Sequence, residues 1–351
     1  MSDLLDVLVI GAGQAGLAAG YFLRHTNLRF QLVDAAPEIG HVWQTRYDSL
    51  RLFTPAKRNA LPGLPFPGDP EHYPGKDDVA GYLRAYARTF ALPVQLATRV
   101  TRLHARDGTF TAVTDRGALR ARQVVIAVGA FGVPFIPPFA RHLDPGVLQL
   151  HSSAYRHPAQ LPAGRVLVVG CGNSGAQIAE ELTRTHQVTV ALGRRQPRLP
   201  QRLLGRDIFD WSDRVRLFDR SVDTPLGAFL RGHDPLIGTN LTARKLKVRP
   251  RVTGAVGRVV HFEDGTVASF GAVVWATGYR GGYAWLDLPV LNDRGEPLHA
   301  RGVTSVPGVY FLGLSWQHTR SSALLGGVGR DAEYLAERIF EEHHRRSARD
   351  G

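Results

Sequence analysis

Val7-Leu8-Val9-Ile10-Gly11-Ala12-Gly13-Gln14-Ala15-Gly16 and Val166-Leu167-Val168-Val169-Gly170-Cys171-Gly172-Asn173-Ser174-Gly175 are two copies of one local design in a single chain. In each, a β-branched apolar run reads as a buried strand, and the apolar-periodic stretch after the glycines reads as a helix. The first glycine makes a tight turn, the second lets a ligand approach the backbone, and the third lets helix pack on strand. The N–H groups that open the helix, with a partial charge of roughly +0.5, then receive pyrophosphate. Matching strand–turn–helix context around both turns predicts two bound dinucleotides. Gly11, Gly13, Gln14, Ala15 and Gly16 are the expected contacts of one; Gly170, Gly172, Asn173, Ser174 and Gly175 are those of the other.

The strand after each turn separates the two ligands. Phe30-Gln-Leu-Val-Asp34 places a carboxylate at the tip of a second strand. An acid there suits a ribose with free hydroxyls, as in FAD or NAD. The equivalent strand of the second unit, Gln187 to Leu192, ends instead in Gly193-Arg194-Arg195, without a carboxylate. Two guanidiniums at that place suit a 2′-phosphate, which carries roughly −1.5 to −2 charge and accepts paired, charge-assisted N–H bonds. The second unit is therefore expected to take NADPH, with Arg194 and Arg195 on the phosphate.

The 351 residues favour two domains, and 44% hydrophobic content is ample for globular cores. No apolar stretch approaches the roughly 20 residues that cross a bilayer, and Asp3 and Asp6 precede the first strand in place of a basic signal region. A soluble, cytoplasmic protein with no membrane partner is expected. The single cysteine, Cys171, excludes an internal disulfide, a cysteine metal cluster and a dithiol reductase, and no metal is expected. A net charge of +12 raises the question of nucleic acid. No basic tract is interleaved with aromatics, however, and the densest cluster, Arg244 to Arg251, reads as a strand with one solvated face. No nucleic-acid partner is expected; the charge is read as a steering field for anionic NADPH.

Between the turns, Leu61-Pro-Gly-Leu-Pro-Phe-Pro-Gly-Asp-Pro70 forbids helix or central strand. An amphipathic helix is expected over 76–90, with short strands around 94–100 and 110–114 as an insertion shielding the flavin. Gln123-Val-Val-Ile-Ala-Val-Gly129 and Ala272-Val-Val-Trp-Ala276 read as buried strands, each closing one nucleotide-binding sheet. The tail carries Gly308-Val-Tyr-Phe-Leu-Gly313 and a helix from about 329 to 343. If that helix returns to the first sheet, the first domain is discontinuous. The expectation is an α/β chain with two Rossmann-like dinucleotide-binding domains, the NADPH domain inserted into the FAD domain: 1–160, 161–274 and 275–351.

At His151-Ser-Ser-Ala-Tyr155 the chain resembles class B flavoprotein monooxygenases, the family of flavin-containing, Baeyer–Villiger and YUCCA-like enzymes. The order Gly11 to Gly16, Gly40-His-Val-Trp43, Ala127-Val-Gly129, His151 to Tyr155, Gly170 to Gly175 and Ala276-Thr-Gly-Tyr279 covers nearly the whole chain. It is most similar to a short bacterial branch labelled for potassium transport, a label that names no chemistry. The resemblance implies FAD and NADPH, a small-molecule substrate with molecular oxygen, and monooxygenation through a C4a-peroxyflavin. It places Trp43, Phe53, Thr54 and Gln317 at the isoalloxazine, and Ala35, Leu52, Val100, Ala127, Gly129, Thr277 and Gly278 along the nucleotides. His151 and Tyr155 are implied as linker residues that position NADPH.

Two departures stand out. Four residues separate Gly146 from His151 and Asp144 replaces an aromatic, so only the His and Tyr half of the identifying motif matches. Where the flavin-containing branch has an asparagine beside the flavin, this chain offers Phe53-Thr54-Pro55, which removes an amide donor and acceptor. Two alternatives stay open at this point: an NADPH–flavin reductase passing electrons to a quinone or protein, and a non-catalytic nucleotide-sensing regulator. A homodimer is also left open.

Overall fold

The computed structural model describes residues 4–193, 197–214, 217–238 and 246–350. Its first sheet is built on β1 (Leu4–Ile10), flanked in parallel by β2 (Phe30–Val33) and β6 (Gly117–Ile126). β3 (Val94–Gln95) extends the β2 edge, and β22 (Val309–Phe311), from the tail, lies parallel to the C-terminal half of β6. β1 is apolar on both faces because both are covered, as a parallel sheet requires. Val7 and Val9 face the core shared with α1 (Gln14–Leu23), α3 (Lys76–Thr89) and α7 (Leu325–Asp350). Leu8 and Ile10 face the core capped by β4 (Val100–Arg106) and β5 (Thr109–Thr114).

The expected helix over 76–90 is present as α3, whereas the stretch 94–114 does not form a separate insertion. β3 joins the parallel sheet, β4 and β5 form an antiparallel meander into β6, and β21 (Leu286–Asp287) runs parallel to β4. The tail does return: β22 sits beside β6, and α7 packs on α1, where the Gln14 amide donates to the Ala323 carbonyl at 2.6 Å. The first domain is thus discontinuous, and the second is inserted into it.

The second sheet is wholly parallel, in the order β15 (Leu246–Arg249), β10 (Gln187–Ala191), β9 (Arg165–Val169), β19 (Ala272–Trp275), β8 (Leu148–His151). α4 (Asn173–Leu182) comes directly after β9. β8 lies upstream of residue 160, where the sequence divides the domains, yet it pairs with β19, Leu148 opposite Ala272. Hydrogen bonding places this earlier strand in the inserted domain. We propose the division at the paired crossing of β7 (Val133–Pro134) and β20 (Tyr279–Arg280), the two linkers running antiparallel side by side.

A further excursion, between β10 and β15, has no counterpart in the sequence reading. It carries short strands β11 (Arg198–Leu199), β12 (Arg202–Leu203), β13 (Arg206–Asp207) and β14 (Leu236–Ile237), with α5 (Ile208–Arg214) and α6 (Pro225–Gly232). Although it leaves from the second domain, it docks on the first. A three-stranded hairpin sheet, β16 (Val252–Val256), β17 (Val259–Phe262) and β18 (Val267–Ser269), completes the insertion.

Candidate nucleotide-binding and active site

The two turns repeat each other closely. Gly11 has φ +107°, and a Cβ there would lie 2.5 Å from the Ala127 carbonyl oxygen; Gly170 has φ +94°, and its Cβ would lie 2.4 Å from that of Ala276. Only glycine fits where the last central strand crosses behind the turn. Gly16 and Gly175 allow the helix to close on the turn, since a Cβ on either would fall 1.8 and 2.3 Å from the Gly11 and Gly170 carbonyls. Gly13 and Gly172 differ in kind: each is the N-cap of its helix, no side chain caps it, and no atom lies within 4 Å of an added Cβ. The first N–H groups of α1 and α4 therefore face open space, the arrangement that receives an anion. At the second turn the buried Asn173 Oδ1 is without a hydrogen-bond partner. Both cradles fit the pyrophosphate of a dinucleotide.

Asp34 directly follows β2, and its carboxylate accepts from the N–H groups of Ala12 at 2.6 Å and Ala36 at 2.8 Å. It thus ties the first turn to the strand tip and leaves further lone pairs outward. The exposed Ala35 is beside it, and Thr98 N–H donates to the Asp34 carbonyl at 2.8 Å, which brings the start of β4, with Val100, to the same edge. Leu52 and Trp43 are half-buried against the opposite core, with Trp43 on α2 (His41–Gln44). The structure thus gathers Asp34, Ala35 and Val100 at one end of the first turn, with Trp43 and Leu52 packed on the core beneath α1 and Phe53 packed instead with Phe209 and Phe218.

Phe53 stacks on Phe209 of the excursion at 6.0 Å between centroids, with the Arg320 guanidinium 5.9 Å from its ring. Its carbonyl accepts from the Gln201 amide at 3.0 Å. The Thr54 hydroxyl is spent on Asn59 Oδ1 at 2.7 Å, and the Asn59 amide returns to the Thr54 and Pro55 carbonyls at 2.9 and 3.0 Å. Gln317 is 2% exposed and directs its amide inward: a Cβ on Gly302 would meet its Nε2 at 2.5 Å and Leu335 at 3.1 Å. Its Oε1 accepts from Leu314 N–H at 3.2 Å, and its Nε2 is buried without a partner. The structure thus brings Phe53 and Thr54 together and sets Gln317 under the tail against α7.

His151 and Tyr155 are interior residues. His151 Nδ1 accepts from Ser153 N–H at 3.1 Å while Nε2–H donates to the Gly278 carbonyl at 3.0 Å, which fixes the neutral tautomer. Burial lowers its pKa below the usual histidine value, against the favourable pull of the Gly278 carbonyl. The ring meets Tyr279 edge-on at 5.0 Å. Tyr155 is fully buried, its hydroxyl donates to Glu181 of α4 at 2.7 Å, and burial drives its pKa up. Both residues act through neighbours: His151 holds the Thr277-Gly278 turn, and Tyr155 holds the helix that leaves the second glycine turn. Thr277 in turn donates to the Phe135 carbonyl, and Gly129 and Gly278 adopt φ +73° and +82° at matching places in the two domains.

Cys171 is half-buried, and burial pushes its thiol up, against a hydrogen bond from Arg198 Nη2 at 3.3 Å. A protonated lone thiol suits packing better than redox exchange. Arg194 and Arg195 lie outside the described residues. Among the described residues no group of three or more His, Cys, Asp and Glu side chains could hold a metal ion, and no helix is long and apolar enough to cross a membrane.

Several functional candidates escape the sequence reading. Arg46 donates to the Tyr279 hydroxyl and lies 4.9 Å from the Phe131 ring, so it touches both linkers. Gln177 of α4 accepts from Tyr47 and donates to the Arg51 carbonyl at 3.0 and 2.9 Å, which locks the second helix to the segment leading to Phe53. The excursion places Asp210 against Lys57 and Arg58 at 3.1 and 2.9 Å, Asp219 against Arg330 at 2.6 Å, and Asp234 against Arg320 at 2.7 Å. In each pair the carboxylate is on the excursion and the cation on the first domain. The only sequence signal for this is the Asp cluster after Arg206.

Residues 8–202 match the model of the pyridine nucleotide-disulphide oxidoreductase family. An uncharacterized CzcO-like oxidoreductase of Geobacillus kaustophilus is 46% identical over 97% of this chain and 99% of its own length. The indole-3-pyruvate monooxygenase YUCCA1 of Oryza sativa is 29% identical over 86% of this chain and 82% of its own. Among solved structures, a flavin-containing monooxygenase from Stenotrophomonas maltophilia superposes with a TM-score of 0.81 at 32% identity, over 97% of this chain and 99% of that one.

Proposed function

We propose that this chain, which belongs to the pyridine nucleotide-disulphide oxidoreductase family and within it to the flavoprotein monooxygenases, oxygenates a small nucleophilic or carbonyl substrate. It is an NADPH-dependent flavoprotein oxidoreductase that takes FAD and NADPH. The observation that carries the reading is the pair of uncapped helix starts at Gly13 and Gly172, open on one side and backed by the Ala127 and Ala276 carbonyls on the other.

FAD, held there, would supply the hydride acceptance from NADPH and the reaction with dioxygen. The holding of both nucleotides is assigned to the two glycine turns and to the residues that follow the second strand of each unit. The N–H groups of Gln14, Ala15 and Gly16 receive one pyrophosphate, and Asp34 orients the ribose beside it. The N–H groups of Asn173, Ser174 and Gly175 receive the other, and Arg194 and Arg195 supply charge at the second strand's end. Trp43, Phe53 and the excursion's Phe209 and Phe218 exclude water from the reacting face, which suppresses loss of peroxide. No side chain in this set moves a proton; their work is orientation and desolvation.

A second reading is an NADPH–flavin reductase that inserts no oxygen. Phe53 favours it, for the ring offers no amide to stabilise charge at the flavin, and the Thr54 hydroxyl is committed to Asn59. Coupling separates the two. Monooxygenation is expected to give an oxygenated product in step with NADPH consumed, with little hydrogen peroxide. Oxygen-independent turnover with a quinone acceptor, and peroxide equal to NADPH in its absence, would favour the reductase.

A further inference from the structure

The basic run Arg244 to Arg251 is the densest in the chain, and neither nucleotide cradle uses it. Within it, β15 lies parallel to β10 with Ala191 opposite Arg249, so both strands end on the edge where the second glycine turn opens. The Leu192 N–H donates to the Arg249 carbonyl at 3.0 Å, which holds the two chain exits together. The arginines beyond this point have different fates. Arg249 is committed, to Asp264 at 3.8 Å, to the Thr266 hydroxyl at 3.2 Å and to the Phe262 ring at 6.0 Å. Arg251 is exposed, and its guanidinium donates to the Gly193 carbonyl at 3.2 Å, the last described residue before Arg194. Among the described residues no carboxylate lies within 4.0 Å of it. Its backbone is fixed, because its carbonyl accepts from Glu263 N–H at 2.8 Å.

We propose that Arg251 is a ligand of the NADPH 2′-phosphate and so a determinant of NADPH over NADH, an inference that rests on the assignment of NADPH to the inserted domain. The end of the second strand of such a unit is where the adenosine 2′ position sits. A guanidinium has five N–H donors in a fixed fork, and one hydrogen bond to Gly193 leaves the others for phosphate oxygens. Among the described residues Arg251 is the exposed arginine at that point without a carboxylate partner, and the neighbouring strand supplies it. Arg249, two residues away, is neutralised and gives the internal comparison.

The test is direct binding to the purified holoenzyme of NADP⁺, NAD⁺ and adenosine 2′,5′-bisphosphate, with ³¹P NMR of the bound 2′-phosphate. Arg251→Gln is expected to weaken NADP⁺ and the bisphosphate by about tenfold or more, leave NAD⁺ within twofold, and move the 2′-phosphate resonance toward its free position. Arg251→Lys should recover part of the affinity, and it serves as the reporter if the glutamine variant folds poorly. Arg249→Gln should leave the NADP⁺ to NAD⁺ ratio unchanged. An unchanged ratio in Arg251→Gln, with wild type still preferring NADP⁺, overturns the proposal and spares the NADPH assignment. Equal weakening of both nucleotides also overturns it, as a loop-holding role would do that. A wild type without any preference for NADP⁺ overturns both.

Discussion

Replacing Gly172 by alanine separates the ligand-binding role of the second turn from its structural one. The residue is extended, with φ −70° and ψ −177°, a conformation alanine adopts freely, and nothing lies within 4 Å of the added Cβ. Gly→Ala at a compatible position stabilises a protein by about 0.4–1 kcal/mol through the unfolded chain. The thermal midpoint of Gly172→Ala should therefore stay level or rise by about 1–3 °C. The empty space is the ligand's, however, and the methyl group would push pyrophosphate off the uncapped N–H groups. Loss of one charge-assisted hydrogen bond, about 1.5–3 kcal/mol, weakens NADP⁺ by roughly 10- to 100-fold. FAD content, read from visible absorbance, should be unchanged. The reciprocal variant, Gly13→Ala, should lose FAD and keep the fold, whereas Gly170→Ala, with φ +94° and a Cβ 2.4 Å from the Ala276 oxygen, should destabilise the domain itself. Wild-type NADP⁺ affinity in Gly172→Ala, or loss of FAD from it, would refute the reasoning.

Other contacts give further expected outcomes. Tyr155→Phe strands the Glu181 carboxylate beside a buried ring and should cost about 1–3 kcal/mol in urea unfolding, with NADP⁺ binding weakened through α4. The lowered pKa of His151 makes the neutral ring the folded form, so its contribution to stability is full above the ordinary histidine value of about 6.5 and is lost as pH falls through its lower folded value. His151→Gln should flatten that part of the stability–pH profile. Burial pushes the Asp210 carboxyl up, but hydrogen bonds and charge from Arg58 and Lys57 outweigh it and the net pKa is lowered. Its contribution should persist above about pH 3.9 and fade below. Because the pairs on this face are partly exposed, Asp210→Asn should cost no more than about 1 kcal/mol, yet it should raise proteolysis or hydrogen exchange across 197–214, as should high salt in wild type. Phe53→Ala removes the ring that packs against Phe209 and Arg320 and should increase the peroxide released per NADPH oxidised.

The glycine turns were legible because their requirements are local: a positive φ at Gly11 and Gly170 and a missing side chain at Gly16 and Gly175 leave a mark in four or five consecutive residues. The same holds for the buried strands ending at Ile126 and Trp275, whose continuous apolar runs reflect cover on both faces. β8 was misplaced because Leu148 to His151 is only four residues long, and pairing with β19, far along the chain, decides which sheet it joins. The excursion was illegible for a related reason. Its strands are two residues each, and ion pairs to Lys57, Arg58, Arg320 and Arg330 fix its position. The burial of the Gln317 amide beside Gly302, whose left-handed turn leaves room for it, is a long-range fit that no motif records. Arg249 and Arg251 are alike in sequence; the contacts that one hairpin brings to Arg249, from Asp264, Thr266 and Phe262, tell them apart.

Electrons, on the central claim, pass from NADPH on the inserted domain to FAD on the discontinuous one. Anaerobic mixing of the purified protein with NADPH, with the visible flavin absorbance recorded over time, tests it most directly. The expected result is a yellow protein with one FAD per chain, bleached rapidly by NADPH and much more slowly by NADH at equal concentration. A colourless protein that takes up no FAD, or a flavin that NADPH leaves oxidised, would contradict it.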